Sequence, residues 1–254
     1  MHHTLSLRFL TVLAASLALV AGAAAKSTEK IEQTYPLNPD GAVSLSNVNG
    51  DVQIEAWERN EVSLYAEKIA SSDDGLALID VRIEHTPAHL NIKVEHQKKF
   101  KFWTMLNRSE VRFKLRVPTG ATLKKVDVVN SDVTVRGVRG HVNLDSVNGS
   151  IEASGLASGG RFETVNGSIH AAFEKVSAGD KISLDTVNGG CSVTLPADAA
   201  FNLDADSVNG SITCDYPITI GKSGRRHLAG SVNGGGAKVS LDSVNGSLRI
   251  RTAK

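Results

Sequence analysis

The sequence predicts an all-β protein, a parallel β-solenoid of about 20-residue coils with an Asn-Gly corner in each coil. Three observations predict it. The phrase Asp-Ser-Val-Asn-Gly-Ser stands at Asp145–Ser150, Asp206–Ser211 and Asp242–Ser247, and Glu163–Ser168 is a close variant. Apolar residues recur at fixed offsets around each copy. The copies follow one another at nearly constant steps.

The offsets give the strands. Alignment is on Val48, Val129, Val147, Val165, Val187, Val208 and Val244. Three residues earlier stand Leu45, Val126, Leu144, Phe162, Leu184, Ala205 and Leu241. Four later stand Val52, Val133, Ile151, Ile169, Cys191, Ile212 and Leu248, and six later Ile54, Val135, Ala153, Ala171, Val193, Cys214 and Ile250. The positions just before each of the last two columns are polar or Gly, which is the period-2 signature of strands with one buried face.

The spacing gives the stack. The steps are 18 (Asn130 to Asn148), 18 (to Asn166), 22 (to Asn188) and 21 (to Asn209). Each unit holds two strands joined by Asn-Gly, with Gly-rich loops between units. Asn233, only 12 residues before Asn245, interrupts the series as a half-unit.

Asn-Gly between alternating strands is also a type I′ hairpin signal, so an antiparallel β-meander of hairpins is the alternative. In a hairpin, the Val before Asn and the Ser or Asp after Gly would share a wet face. In a β-arc that Val can turn inward. The parallel stack is therefore expected, with the Val column inside it. Asn49, Asn130, Asn148, Asn166, Asn188, Asn209 and Asn245 become structural corners whose amides stack about 4.8 Å apart. Gly is expected to supply a positive φ at the corner. The Asn-Gly-Ser sequons at Asn148, Asn166, Asn209 and Asn245 are read as ladder positions, not glycosylation sites.

The first 25 residues are set apart from this pattern. Arg8 precedes an apolar run from Phe9 to Val20, and Ala-Gly-Ala-Ala-Ala ends at Ala25. This reads as a signal peptide cleaved after Ala25, too short in its apolar part for a span of roughly 20 residues. The expected mature chain, 26–254, is one exported β-repeat domain, periplasmic, cell-surface or secreted. Its most regular repeats cover 119–254. Export makes a Cys191–Cys214 disulfide conceivable. The two are expected in neighbouring repeats, two positions apart, with Cα atoms roughly 8 Å distant and beyond disulfide reach. Both are read as free core residues.

Residues 86–118 break the pattern. Asp80–His85 and Leu90–His96 read as a hairpin with Pro87 in its turn. An irregular basic segment follows, with Lys98, Lys99 and Lys101 interleaved with Phe100, Phe102 and Trp103. That mixture fits an anionic glycan or a membrane surface, and it equally fits a capping strand pair whose lysines deter edge pairing.

Catalytic signals are missing. No Ser-His-Asp order, phosphate-binding glycine loop or paired-Cys zinc spacing occurs. His85 and His96 fall at opposite ends of the expected hairpin, with His89 near its turn, so a shared metal is not expected. The acids two residues before each Val are Asp127, Asp145, Glu163, Asp185, Asp206 and Asp242. Neighbours would lie about 5 Å apart, the separation used by retaining glycosidases, and they could also hold Ca²⁺. A uniform row argues against catalysis, which needs one special pair. A solvated acidic stripe is expected. The formal net charge of +1 offers no field for nucleic acid. No cofactor, metal or catalytic residue is assigned.

The stretches VSLSNVNGDVQIEAWERNEVSLYAEK, VRFKLRVPTGATLKKVDVVNSDVTV and SLDSVNGSLRI resemble bacterial exported β-strand-repeat domains known as "putative adhesins". The likeness covers roughly Tyr35 to Lys254. It implies a surface or periplasmic, β-helical, non-catalytic protein and brings no catalytic residues. The expected function is a non-catalytic binding or scaffold module of the cell envelope. The alternatives are a carbohydrate-active enzyme on a β-helix and a structural spacer.

Overall fold

The structure, a computed structural model, describes residues 26–96 and 109–253. The expected leader and Lys98–Trp103 lie outside the described residues. The chain is all-β. Its strands are β1 (Ser27–Pro36), β2 (Ala42–Asn49), β3 (Val52–Trp57), β4 (Glu61–Ala70), β5 (Ile79–Thr86), β6 (His89–His96) and β7 (Glu110–Pro118). Then come β8 (Thr122–Asn130), β9 (Val133–Arg136), β10 (Val142–Asn148), β11 (Ile151–Leu156), β12 (Gly160–Asn166), β13 (Ile169–Phe173), β14 (Lys181–Asn188) and β15 (Cys191–Leu195). The last are β16 (Phe201–Asn209), β17 (Ile212–Cys214), β18 (Thr219–Ser223), β19 (His227–Val232), β20 (Ala237–Asn245) and β21 (Leu248–Thr252). Among the described residues one short helix, α1 (Asp73–Leu76), is capped by Ser72, whose side chain accepts from the Gly75 amide.

Two mixed sheets enclose the core. One runs β1-β4-β7-β3-β9-β11-β13-β15-β21-β17, the other β18-β19-β16-β20-β14-β12-β10-β8-β2-β6-β5. Each Val-Asn-Gly or Val-Asn-Ser unit puts its first strand in the second sheet and its second strand in the first. The corner is where the chain changes sheets. Units pair in parallel: Leu144 stands beside Phe162 and Asn148 beside Asn166 in one sheet, and Ile151 beside Ile169 in the other. Antiparallel pairing joins β1 to β4, β4 to β7, β5 to β6, β16 to β19 and β18 to β19. The described units are therefore not stacked as a meander of hairpins. The hairpin around Pro87 forms as read, with Thr86 beside His89.

Burial follows the columns, with one inversion. Leu45, Val126, Leu144, Phe162, Leu184, Ala205 and Leu241 are buried, as are Val133, Ile151, Ile169, Cys191 and Leu248. The corner valines were expected inside and are not. Val48, Val147, Val165, Val187, Val208 and Val244 are 37 to 50 % exposed. The strand keeps its period of two up to the corner, so Leu144 inward forces Asp145 outward, Ser146 inward and Val147 outward. Small polar residues take the inner place beside the corner. Ser146, Thr164, Thr186, Ser207 and Ser243 are buried. Each hydroxyl donates to a corner carbonyl of a neighbouring unit, as Thr164 does to Gly149 at 2.9 Å and Thr186 to Gly167 at 3.1 Å. A buried hydroxyl so bonded loses little on leaving water.

Glycine at the corner answers close backbone approach more than φ. A Cβ on Gly167 would lie 2.1 Å from the carbonyl oxygen of Gly149, and one on Gly189 1.9 Å from that of Gly167. Ser131 is the exception. There the corner bond from Gly50 N to Asn130 O opens to 3.4 Å, against 3.0 Å from Ser131 N to Asn148 O.

The last units are not stacked in chain order. β20 lies between β14 and β16, and β21 between β15 and β17. The apparent half-unit is the device that permits this. β19 runs antiparallel along β16, and the chain reverses at Asn233 (φ 50) and Gly234, Asn233 donating to Ala199 O at 2.9 Å. The cysteines are accordingly not in adjacent strands. β21 separates them, with Leu248 beside Cys191 and Ile250 beside Cys214. Both are free, Cys191 buried and Cys214 half-buried.

Candidate functional site

Stacking identical corners turns each sequence column into a ladder. The Asn ladder is continuous. Asn130 donates to Asn49 at 2.9 Å, Asn148 to Asn130 at 2.9 Å, Asn166 to Asn148 at 2.8 Å and Asn188 to Asn166 at 2.9 Å. Asn245 then donates to Asn188 at 2.8 Å, and Asn209 to Asn245 at 3.0 Å. Every amide from Asn130 to Asn245 thus donates one way and accepts the other. The side chains lie at the surface instead of in the interior. Asn245 comes between Asn188 and Asn209 because its strand does.

Beside this ladder runs the valine row, and beyond it the acid row. Registered parallel pairing sets Asp127 beside Asp145, Asp145 beside Glu163, Glu163 beside Asp185, Asp185 beside Asp242 and Asp242 beside Asp206. Two acids have cations on their own strands, Lys125 with Asp127 at 2.8 Å and Arg161 with Glu163. Like charges at strand spacing disfavour full ionisation. Partial burial, then Glu163 beside it, raises the Asp145 carboxyl to about 6. Partial burial, then Asp185, raises Asp242 to about 6.

A trough of about 800 Å³ follows these rows. Its lining includes Asp145, Glu163, Asp185, Asp242 and Asp206, with Val165, Val187, Val244 and Val208 alongside them. The β18–β19 hairpin supplies an end wall through Gly224, Arg226 and His227. His227 Nδ1 lies 2.9 Å from Asp206 and 3.8 Å from Asp204. Among the described residues, these three bring ligand atoms within 4.8 Å of one another and could share a cation. Asp204 and Asp206 are open to solvent there.

Other sequence candidates fall elsewhere. His85 pairs beside Leu90 and His96 beside Ile79, at opposite ends of their hairpin. His89 bonds Ser44 at 3.0 Å. Lys98, Lys99, Phe100, Lys101, Phe102 and Trp103 lie outside the described residues. On β7, Arg112, Lys114 and Arg116 face outward while Val111, Phe113 and Leu115 enter the core. Arg116 and Arg59 approach the Trp57 ring at 6.0 and 4.9 Å. Sequence reading found the acids and asparagines but misplaced the valines, and it passed over Asp204, Arg226 and His227. Strand parity counted outward from Leu144 would have placed the valines. Nothing in the repeat announces the hairpin residues.

Among the described residues no helix is long and apolar enough to cross a membrane. No curated protein matches the chain. Solved structures do. A "putative cell adhesion protein" from Clostridium sporogenes is 12 % identical at TM-score 0.51, over 89 % of this chain and all of that one. A "putative adhesin" from Bacteroides fragilis is 12 % identical at TM-score 0.35, over 87 % of this chain and 97 % of that one. A "putative lipid binding protein" from Parabacteroides distasonis is 12 % identical at TM-score 0.30, over 90 % and 97 %. The profile of the family described as Toastrack DUF4097 matches residues 26–251, so the chain belongs to that family.

Proposed function

We propose that this is a non-catalytic binding and scaffold module of the cell envelope, a β-solenoid-like stack whose corner face is its contact surface. One observation carries the reading. The corner face repeats the same acid, valine and asparagine on neighbouring strands, which makes an extended surface and not a reaction centre. Catalysis needs groups with distinct roles at one point. Here Asp185 and Asp242, or Asp145 and Glu163, hold the same register position on neighbouring strands. Parallel pairing of the units in both sheets supports the solenoid-like reading, and the Ala25 leader signal supports export.

The test has two parts. N-terminal sequencing of protein from the extracytoplasmic fraction is expected to begin at Lys26. The immobilised mature chain is expected to retain an envelope component that salt elutes, without chemical change to it. A chain kept in the cytoplasm, no retention, or turnover of an envelope glycan contradicts the reading.

A further inference from the structure

The valine row is the unexplained feature. Each of the seven corner positions holds Val, and six of those side chains are markedly exposed. Strand propensity does not account for it, since Thr serves a strand about as well and is polar. The sequence uses Ser or Thr one residue earlier, on the buried side, in five of the same units. Apolar outside and polar inside is the reverse of what solvation favours. A repeated exposed apolar stripe marks a contact surface.

Charge decides what fits it. The carboxylates beside the valines outnumber Arg226 and His227 at the end wall. Among the described residues Asp145, Asp185 and Asp242 have no ion-pair partner, while Arg161 engages Glu163. A second copy docking by the same face would set acid row against acid row. An anionic lipid surface or acidic glycan would meet the same repulsion. A chain carrying both cations and apolar groups satisfies both rows together.

We propose that this trough binds an extended cationic amphipathic peptide segment, its apolar side chains on the valine row and its Lys or Arg groups along Asp145, Asp185 and Asp242. Five strands at about 4.8 Å span about 19 Å, the length of roughly six extended residues. The proposal rests on the envelope-binding reading and names its ligand class.

The experiment is fluorescence anisotropy of a labelled octapeptide of alternating Lys and Leu, titrated with the mature chain. Binding is expected, with at least a tenfold loss on raising NaCl from 0.05 to 0.5 M, in line with screening of exposed charges. Asp145→Asn/Asp185→Asn/Asp242→Asn is expected to lose at least tenfold. Neutralising a self-repelling row does not threaten the fold, and circular dichroism checks this. Equal binding of alternating Ser-Leu or Glu-Leu peptides overturns the proposal. So does unchanged binding by the triple variant, preferential binding to phosphatidylglycerol vesicles, or a dimer that buries the valines. If the triple variant does not fold, the salt series and control peptides on the parent chain still decide. Loss of the peptide result with envelope retention intact removes only this ligand class. Loss of both removes the envelope-binding reading.

Discussion

Thr164 and Val165 are adjacent in the chain and face opposite ways, the Thr164 hydroxyl buried on the Gly149 carbonyl at 2.9 Å and Val165 41 % exposed. Exchange of their chemistry is the first prediction. Thr164→Val keeps the shape but removes a buried donor, and is expected to cost about 1–3 kcal/mol. Val165→Thr is expected to change stability by no more than about 0.5 kcal/mol. Urea unfolding of each variant checks this. The opposite order would put Val165 inside.

The asparagine ladder makes a second prediction. Asn166 donates to Asn148 and accepts from Asn188. Asn166→Ala is expected to cost about 1 kcal/mol, the low end for two bonds that water partly replaces. Gly167→Ala is expected to cost more, because its Cβ would meet the Gly149 carbonyl oxygen at 2.1 Å. Denaturant midpoints of both variants rank the two effects. An Asn166→Ala loss larger than that of Gly167→Ala would mean the corners are not in close backbone contact.

The acid row predicts a pH dependence. Asp145 and Asp242 are raised from 3.8 to about 6 in the folded chain, so there the folded state binds more protons than the unfolded one. Their effect is to destabilise the fold above about pH 6, and that penalty is relieved as pH falls toward about 4. Stability is expected to rise over this window. Asp145→Asn/Asp242→Asn is expected to be more stable than the parent at pH 7 and to show a flatter profile. Thermal unfolding from pH 7 to pH 4 measures it.

The two thiols are expected to stay uncrosslinked and to differ in reactivity. Burial, with help from Asp185 and Asp242, pushes Cys191 up to about 12, and burial raises Cys214. A thiol-reactive electrophile is expected to modify Cys191 only after denaturation, with half-buried Cys214 reacting first. Peptide mapping reads the order, and a Cys191–Cys214 crosslink would contradict the intervening β21.

The stack was legible in the sequence because its signal is repeated. Leu144, Phe162 and Leu184 fall in one column and Ile151, Ile169 and Cys191 in another, and those columns are the core. The corner valines were misplaced because side-chain type outweighed parity. Val looked like core and Ser146 or Thr164 like surface, although period two from Leu144 dictates the reverse. The position of unit Ala237–Thr252 between its predecessors was not legible, since local patterning carries no strand order. That error carried over to Cys191 and Cys214. His227 reaches the acid row only through the antiparallel β19, outside the repeat altogether.

The central claim is that the valine row serves contact and not the fold. The variant Val147→Thr/Val165→Thr/Val187→Thr/Val208→Thr/Val244→Thr tests it most directly. Its unfolding free energy is to be measured beside its retention of envelope components. The account predicts small changes in stability at each site, within about 0.5 kcal/mol apiece, together with loss of retention. Collapse of the fold, or a folded variant that still retains its partner in full, would contradict it.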